Sequence, residues 1–113
     1  MMYPIRYTTG TAAEVRATEA FRNWMNRLRD IGAKARIQAR IDRLAGGNSG
    51  DCVSVGSGVL ELRVHVGAGY RVYFTWARAR IVVLLAGGDK QSQPEDILRA
   101  KSLARSLPDG LQE

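Results

Sequence analysis

The stretch Val59-Leu60-Glu61-Leu62-Arg63-Val64-His65-Val66-Gly67-Ala68-Gly69-Tyr70-Arg71-Val72-Tyr73-Phe74-Thr75-Trp76 decides the fold. Leu60, Leu62, Val64 and Val66 alternate with Glu61, Arg63 and His65, and Tyr70, Val72, Phe74 and Trp76 alternate with Arg71, Tyr73 and Thr75. Period-two alternation puts successive side chains on opposite faces of a strand. A glycine-bearing loop, Gly67-Ala68-Gly69, joins the two runs as a hairpin. This pairing sets Val66 opposite Tyr70, His65 opposite Arg71, Arg63 opposite Tyr73 and Glu61 opposite Thr75. Any odd loop length preserves the sorting into one apolar and one polar face, whereas an even one breaks it.

Outward from the hairpin, Ile81–Ala86 is a continuous apolar run, the pattern of a strand buried on both faces. Val53–Val55 is a short strand. Upstream, Thr18 is a helix cap, followed by Phe21, Trp24, Met25, Leu28 and Ile31 at helical spacing, with Asp30 on the outer side. Gly32 breaks this pattern. A second helix carries Ile37, Ile41 and Leu44 on its buried stripe, and Gly46, Gly47 and Gly50 end it. Arg36, Arg40 and Arg43 make a basic stripe on another face. Met2–Thr8 reads as a first strand and Gly10–Ala17 as a connection or frayed helix start. Downstream, Ser92 or Gln93 opens a last helix with Pro94 in its first turn. Its stripe is Ile97, Ala100, Ala104 and Leu107, and Pro108-Asp109-Gly110 ends it. The predicted order is β-α-α-β-β-β-β-α, an α+β fold with one antiparallel sheet whose apolar face shares a core with the helical hairpin. Residues 1–113 suit one domain.

The chain carries a formal net charge of +6 over 113 residues and a pI of about 10.1. That excess points to an anionic partner. The single cysteine, Cys52, forms no intrachain disulfide, which fits a reducing, cytoplasmic setting, and it reads as a buried apolar residue. No run approaches a membrane span, and no membrane partner is expected.

The polar face of the hairpin is suited to RNA chemistry. Arginine presents planar donors to phosphate oxygens, so Arg63 and Arg71 together could hold a scissile phosphate and stabilise its transition state. His65 can serve as general acid or base, and Tyr73 can stack on a base or supply a hydroxyl. RNA brings its own nucleophile, the 2′-hydroxyl, so neither a cofactor nor a metal is expected. Each residue also has a plainer reading. Glu61 and Arg63 could be a solvated charge pair, Arg71 a cross-strand partner, Tyr73 a packed aromatic, and Arg36, Arg40 and Arg43 a solvated helix face.

The segments Arg43-Leu44, Gly47-Asn48, Gly50-Asp51, Gly58 to Arg63, Gly67 to Phe74 and Leu84 to Lys90 together resemble the HigB-like addiction-module killer proteins of the RelE/ParE toxin superfamily. Gln93, Asp96-Ile97 and Ala100-Lys101 continue the pattern, which runs from about Phe21 to Leu107. The resemblance implies a RelE-like fold and translation-dependent mRNA cleavage on the ribosome. It also implies a cognate helix-turn-helix antitoxin, with oligomers formed mainly through it. It places the working residues at Arg71, the most characteristic match, at Arg63 and His65, where such toxins often carry lysines, and at Lys90. Asp89 is a candidate general base or a holder of Lys90 and Arg71; a loop Asp beside two glycines is also an ordinary turn residue. RelE itself has a functional tyrosine in its C-terminal segment, and no tyrosine follows Tyr73 here. As RNA-binding residues, Arg36, Arg40 and Arg43 would join Tyr73 and contact ribosomal RNA. The alternative is a ParE-like toxin that shares the fold and inhibits gyrase by binding. A non-catalytic nucleic-acid-binding module is a third reading.

Overall fold

The computed structural model describes residues 4–9, 13–78 and 80–111. Strand β1 spans Ile5–Thr9, β2 Glu14–Ala17, helix α1 Glu19–Arg27, α2 Ile31–Ala45, β3 Cys52–Gly56, β4 Val59–Val64, β5 Tyr70–Ala77, β6 Ile81–Gly88 and α3 Gln93–Arg105. A short 3-10 turn, Asp109–Leu111, follows. One six-stranded sheet runs in the order β1-β2-β6-β5-β4-β3. Of the predicted first strand, Met2 and Tyr3 lie outside the described residues.

The sheet is mixed, which corrects the expected all-antiparallel arrangement. The stretch read as a connection contains strand β2, which pairs antiparallel with β1 and parallel with β6. Val15 and Ala17 point into the core while Glu14 and Arg16 stay partly exposed, a four-residue alternation too short to stand out among polar neighbours.

Helix α1 also ends earlier than its apolar spacing suggests. Thr18 caps its start, accepting from the Phe21 N–H at 3.1 Å. Its hydroxyl in turn donates to the Leu85 carbonyl at 2.6 Å, tying the cap to β6. The break falls at Leu28–Asp30, because Asp30 accepts from the Ala33 N–H at 3.0 Å and caps a new helix. Gly32 therefore lies in the first turn of α2 rather than between helices, and Ile31 is 81% exposed instead of buried.

Two cores sandwich the sheet. On one face Phe21 and Met25 of α1 and Ile37, Ile41 and Leu44 of α2 pack on Leu62, Val64, Val72, Phe74, Val82 and Leu84. On the other, Ala100 and Ile97 of α3, with Leu107 and Leu111, pack on Val59, Tyr73, Val83 and Leu85. Every residue of β6 from Val82 to Gly88 is buried, as a strand covered on both sides requires.

Candidate active site on the central hairpin

The second core changes the character of the hairpin's polar face. Its lower half lies under α3: Glu61 and Tyr73 are fully buried and Thr75 is 6% exposed. On this face the end of the hairpin nearest the loop remains accessible, and Arg63, His65 and Arg71 lie there.

The register differs from the predicted one by two residues. Arg63 pairs with Arg71, Glu61 with Tyr73 and Val64 with Tyr70. The connection is therefore the five residues from His65 to Gly69. The Val66 N–H turns back to the Val64 carbonyl at 2.9 Å and the Gly69 N–H to the Val66 carbonyl at 3.0 Å. Those turns end the ladder early, with Gly67 and Gly69 at positive φ. Five is odd, so the side chains keep their faces. His65 leaves the strand and no longer lies opposite Arg71.

Two arginines directly opposite on adjacent strands repel each other, and a buried carboxylate offsets this. Arg63 Nε donates to Glu61 Oε1 at 2.9 Å. Glu61 Oε2 accepts from the Tyr73 hydroxyl at 2.9 Å and from Gln93 Nε2 of α3 at 2.8 Å, and Arg71 Nε lies 3.7 Å from it. Burial alone would push the Glu61 carboxyl up, but the hydrogen bonds from Arg63, Gln93 and Tyr73 hold it below the usual carboxylate range. The same burial and the bond to Glu61 push the Tyr73 phenol well above its ordinary value. Tyr73 is thus a core residue with an occupied hydroxyl, and its ring offers no stacking platform. Glu61, expected in a solvated pair, is the buried hub of the network.

Arg71 is 12% exposed at its side chain, and its Nη1 donates to the Gly69 carbonyl at 2.7 Å. Together with His65, Val66, Gly67, Ala68, Gly69 and Lys90 it lines a cavity of about 440 Å³. His65 stands at that cavity with its side chain 71% exposed. Its Nε2 pairs with Asp51 Oδ2; the carboxylate can only accept, so Nε2 carries the hydrogen. This bond holds the Asp51 carboxyl below its usual range. The Asp51 carbonyl also accepts from the Arg63 N–H at 3.0 Å, fixing the residue beside β4. Lys90 is exposed, and its N–H donates to the Ala68 carbonyl at 3.4 Å.

Asp89 holds the turn into α3. Its Oδ1 accepts from the Gln91 and Ser92 N–H groups at 2.9 and 3.1 Å, the turn geometry that Asp favours. The basic stripe of α2 divides. Arg36 and Arg43 are exposed, whereas Arg40 donates to the carbonyls of Arg63, Ser49 and Asp51 and ties α2 to the hairpin.

The structure thus brings Arg71, Lys90 and His65 to one cavity, with Arg63 opposite Arg71. Asp89 stays in its turn, Tyr73 lies in the core, and Arg36 and Arg43 lie on α2. Sequence reasoning missed Asp51 and Gln93 and underrated Glu61. The missed signal was the apolar stripe of α3: the helical hairpin covers one sheet face, so a third amphipathic helix must cover the other. Among the described residues no group of three or more His, Cys, Asp or Glu could hold a metal ion, and no helix is long and apolar enough to cross a membrane.

Fold and site together define an α+β protein with a buried carboxylate joining two cross-strand arginines. Residues 23–106 match the family model of the phage-derived Gp49-like proteins, described as "Phage derived protein Gp49-like (DUF891)", and the chain belongs to that family. The family falls within the RelE/HigB-like toxin–antitoxin superfamily in general, whose toxins are paired with antitoxins. A protein of Haemophilus influenzae described as "Uncharacterized protein" is 47% identical over 94 residues, 83% of this chain and 95% of that protein. No solved structure matches the chain.

Proposed function

We propose that this chain is the toxin of a type II toxin–antitoxin pair, a HigB-like, single-domain endoribonuclease that cuts mRNA on the ribosome without metal. The observation that carries this reading is the Arg63–Arg71 pair. Two guanidinium groups set directly opposite, one of them largely buried, share a single carboxylate, and the net positive charge left between them suits a site whose ligand is an anion. Phosphodiester cleavage fits it. The 2′-oxygen of the RNA bonds to the adjacent phosphorus as the bond to the 5′-oxygen breaks, leaving a 2′,3′-cyclic phosphate and a 5′-hydroxyl. Arg71 and Arg63 stabilise the charge gathering on the non-bridging oxygens, and Lys90 adds a point charge at the cavity rim. His65, oriented by Asp51, handles the proton that leaves the 2′-hydroxyl or reaches the 5′-oxygen. Asp89 acts by holding the loop that carries Lys90. Arg36 and Arg43 supply phosphate contacts to ribosomal RNA. A helix-turn-helix antitoxin neutralises the toxin in the cytoplasm and joins it into larger oligomers.

The test is a reconstituted translation reaction with purified protein. Addition of the chain should halt synthesis and leave mRNA fragments with 5′-hydroxyl ends, and no fragments should arise from the same mRNA without ribosomes. Arrest of growth on induction, with intact mRNA and accumulating DNA breaks, would replace this reading with inhibition of gyrase.

A further inference from the structure

We infer that Glu61 is a positioning residue, which grips Arg63 and Arg71 from beneath so that both guanidinium groups meet the same anion. The inference rests on the Arg63–Arg71 pair being the anion site proposed above. Glu61 is fully buried and reaches the cavity through Arg71, which lines it, while Arg63 stands directly across from Arg71. Its Oε1 takes the Arg63 Nε at 2.9 Å. Its Oε2 is held by Tyr73 of β5 and Gln93 of α3, so three elements fix one carboxylate. Arg71 Nε is buried and, within the described residues, makes no hydrogen bond; Glu61 Oε2, 3.7 Å away, is the carboxylate oxygen facing it. A guanidinium at that distance needs only a small shift to bond the carboxylate, and an anion that draws on its other donors would supply it. A shared buried carboxylate behind two phosphate-binding groups does for arginines what outer-shell carboxylates do for histidine ligands.

Positioning and simple charge balance give opposite signs. Glu61→Gln removes a negative charge beside two arginines, so charge alone would tighten a polyanion. Loss of position instead lowers turnover, since a displacement of about 1 Å can cost on the order of 100-fold. The experiment follows kcat and KM in ribosome-dependent cleavage together with the Nε–Hε NMR resonances of Arg63 and Arg71, assigned with Arg63→Lys and Arg71→Lys. In Glu61→Gln we expect a wild-type amide spectrum, both resonances moved toward those of free arginine, kcat lower by about 100-fold, and KM unchanged or lower. Unmoved resonances, or a kcat within a few-fold of wild type, would overturn the inference. If the wild-type chain cleaves no RNA, the nuclease reading falls, and titration with inorganic phosphate decides this one alone. Resonances that respond to phosphate in wild type but not in Glu61→Gln uphold it; an equal response, or none in wild type, refutes it. Should Glu61→Gln fail to fold, Glu61→Asp, which keeps the charge but shortens its reach, and Gln93→Ala, which frees one side of the carboxylate, are judged by the same criteria.

Discussion

Arg71 is legible in the sequence as an outward residue of an alternating strand, and on that view its removal would leave packing untouched. Its side chain is instead 12% exposed, so truncation also empties space above Glu61. Arg71→Lys separates the two effects: it keeps the charge and most of the aliphatic stem but cannot present a planar fork. We expect Arg71→Ala to lose cleavage by on the order of 100-fold or more and to melt earlier than wild type. Arg71→Lys should lose most of the activity with a melting temperature near wild type. Full activity in a folded Arg71→Lys protein would show that bidentate geometry at this position is not used. Glu61 carries a second prediction. Its folded pKa is depressed below the ordinary value of 4.5, so the folded state binds fewer protons than the unfolded chain. The stability it contributes is fully present above the ordinary carboxylate range and is lost as pH falls through the lowered value. Urea midpoints measured downward from neutral pH should therefore fall below about pH 4.5, and Glu61→Gln should flatten that fall. An identical acid slope in the variant would mean that the carboxylate is not held ionised by its donors.

At the scale of elements, the strands with long alternation and the capped helices could be read from sequence, because their signals are local. Val59–Val64, Tyr70–Ala77 and Ile81–Gly88 each announce themselves by period or by an unbroken apolar run. Strand β2 could not, since its pairing partner β6 lies more than sixty residues downstream. The hairpin register slipped by two partly for a related reason: the His65–Asp51 pair is a tertiary contact, and the early local turn at Val66 is one of several that a glycine-bearing loop can adopt. Gly87 and Gly88 end β6 where helices press on both faces of the strand. A Cβ on Gly87 would lie 2.2 Å from the Trp24 ring of α1, and one on Gly88 would lie 1.7 Å from Asp96 Oδ2 of α3. The strand end is thus pinched between helices on opposite faces. Asp96, itself buried, bonds to Ser92 at the start of α3 and cannot retreat freely. Gly88→Ala and Gly87→Ala should each destabilise the fold by at least about 1–3 kcal/mol, the usual cost of overpacking, read as a lowered urea midpoint at unchanged slope. Gly47→Ala is a useful contrast: a Cβ there meets nothing within 4 Å, and its cost is confined to a backbone φ of +101°.

For the whole molecule, the net charge of +6 announces an anionic partner without saying which cations meet it. The three arginines of α2 share one helical face in the sequence, but the structure assigns them different work. Arg40 is spent on the carbonyls of Ser49, Asp51 and Arg63 and thereby fixes the segment that carries Asp51 to His65. Arg36 and Arg43 are exposed, and their charges are free to meet phosphates. A phosphate contact reveals itself by counterion release: the logarithm of affinity falls with the logarithm of salt by about 0.7–0.9 per contact. The double variant Arg36→Ala/Arg43→Ala should therefore bind ribosomes more weakly, with a salt slope shallower by roughly 1.4–1.8, while its melting temperature stays near wild type. Arg40→Ala should do the reverse, lowering the melting temperature and leaving the slope almost unchanged, because its guanidinium already faces carbonyl oxygens. Ribosome co-sedimentation across a salt series, paired with thermal unfolding of the same three proteins, separates these outcomes. A slope unchanged in the double variant would return Arg36 and Arg43 to an ordinary solvated face and leave the hairpin end, with Arg63, Arg71 and Lys90, as the seat of RNA contact.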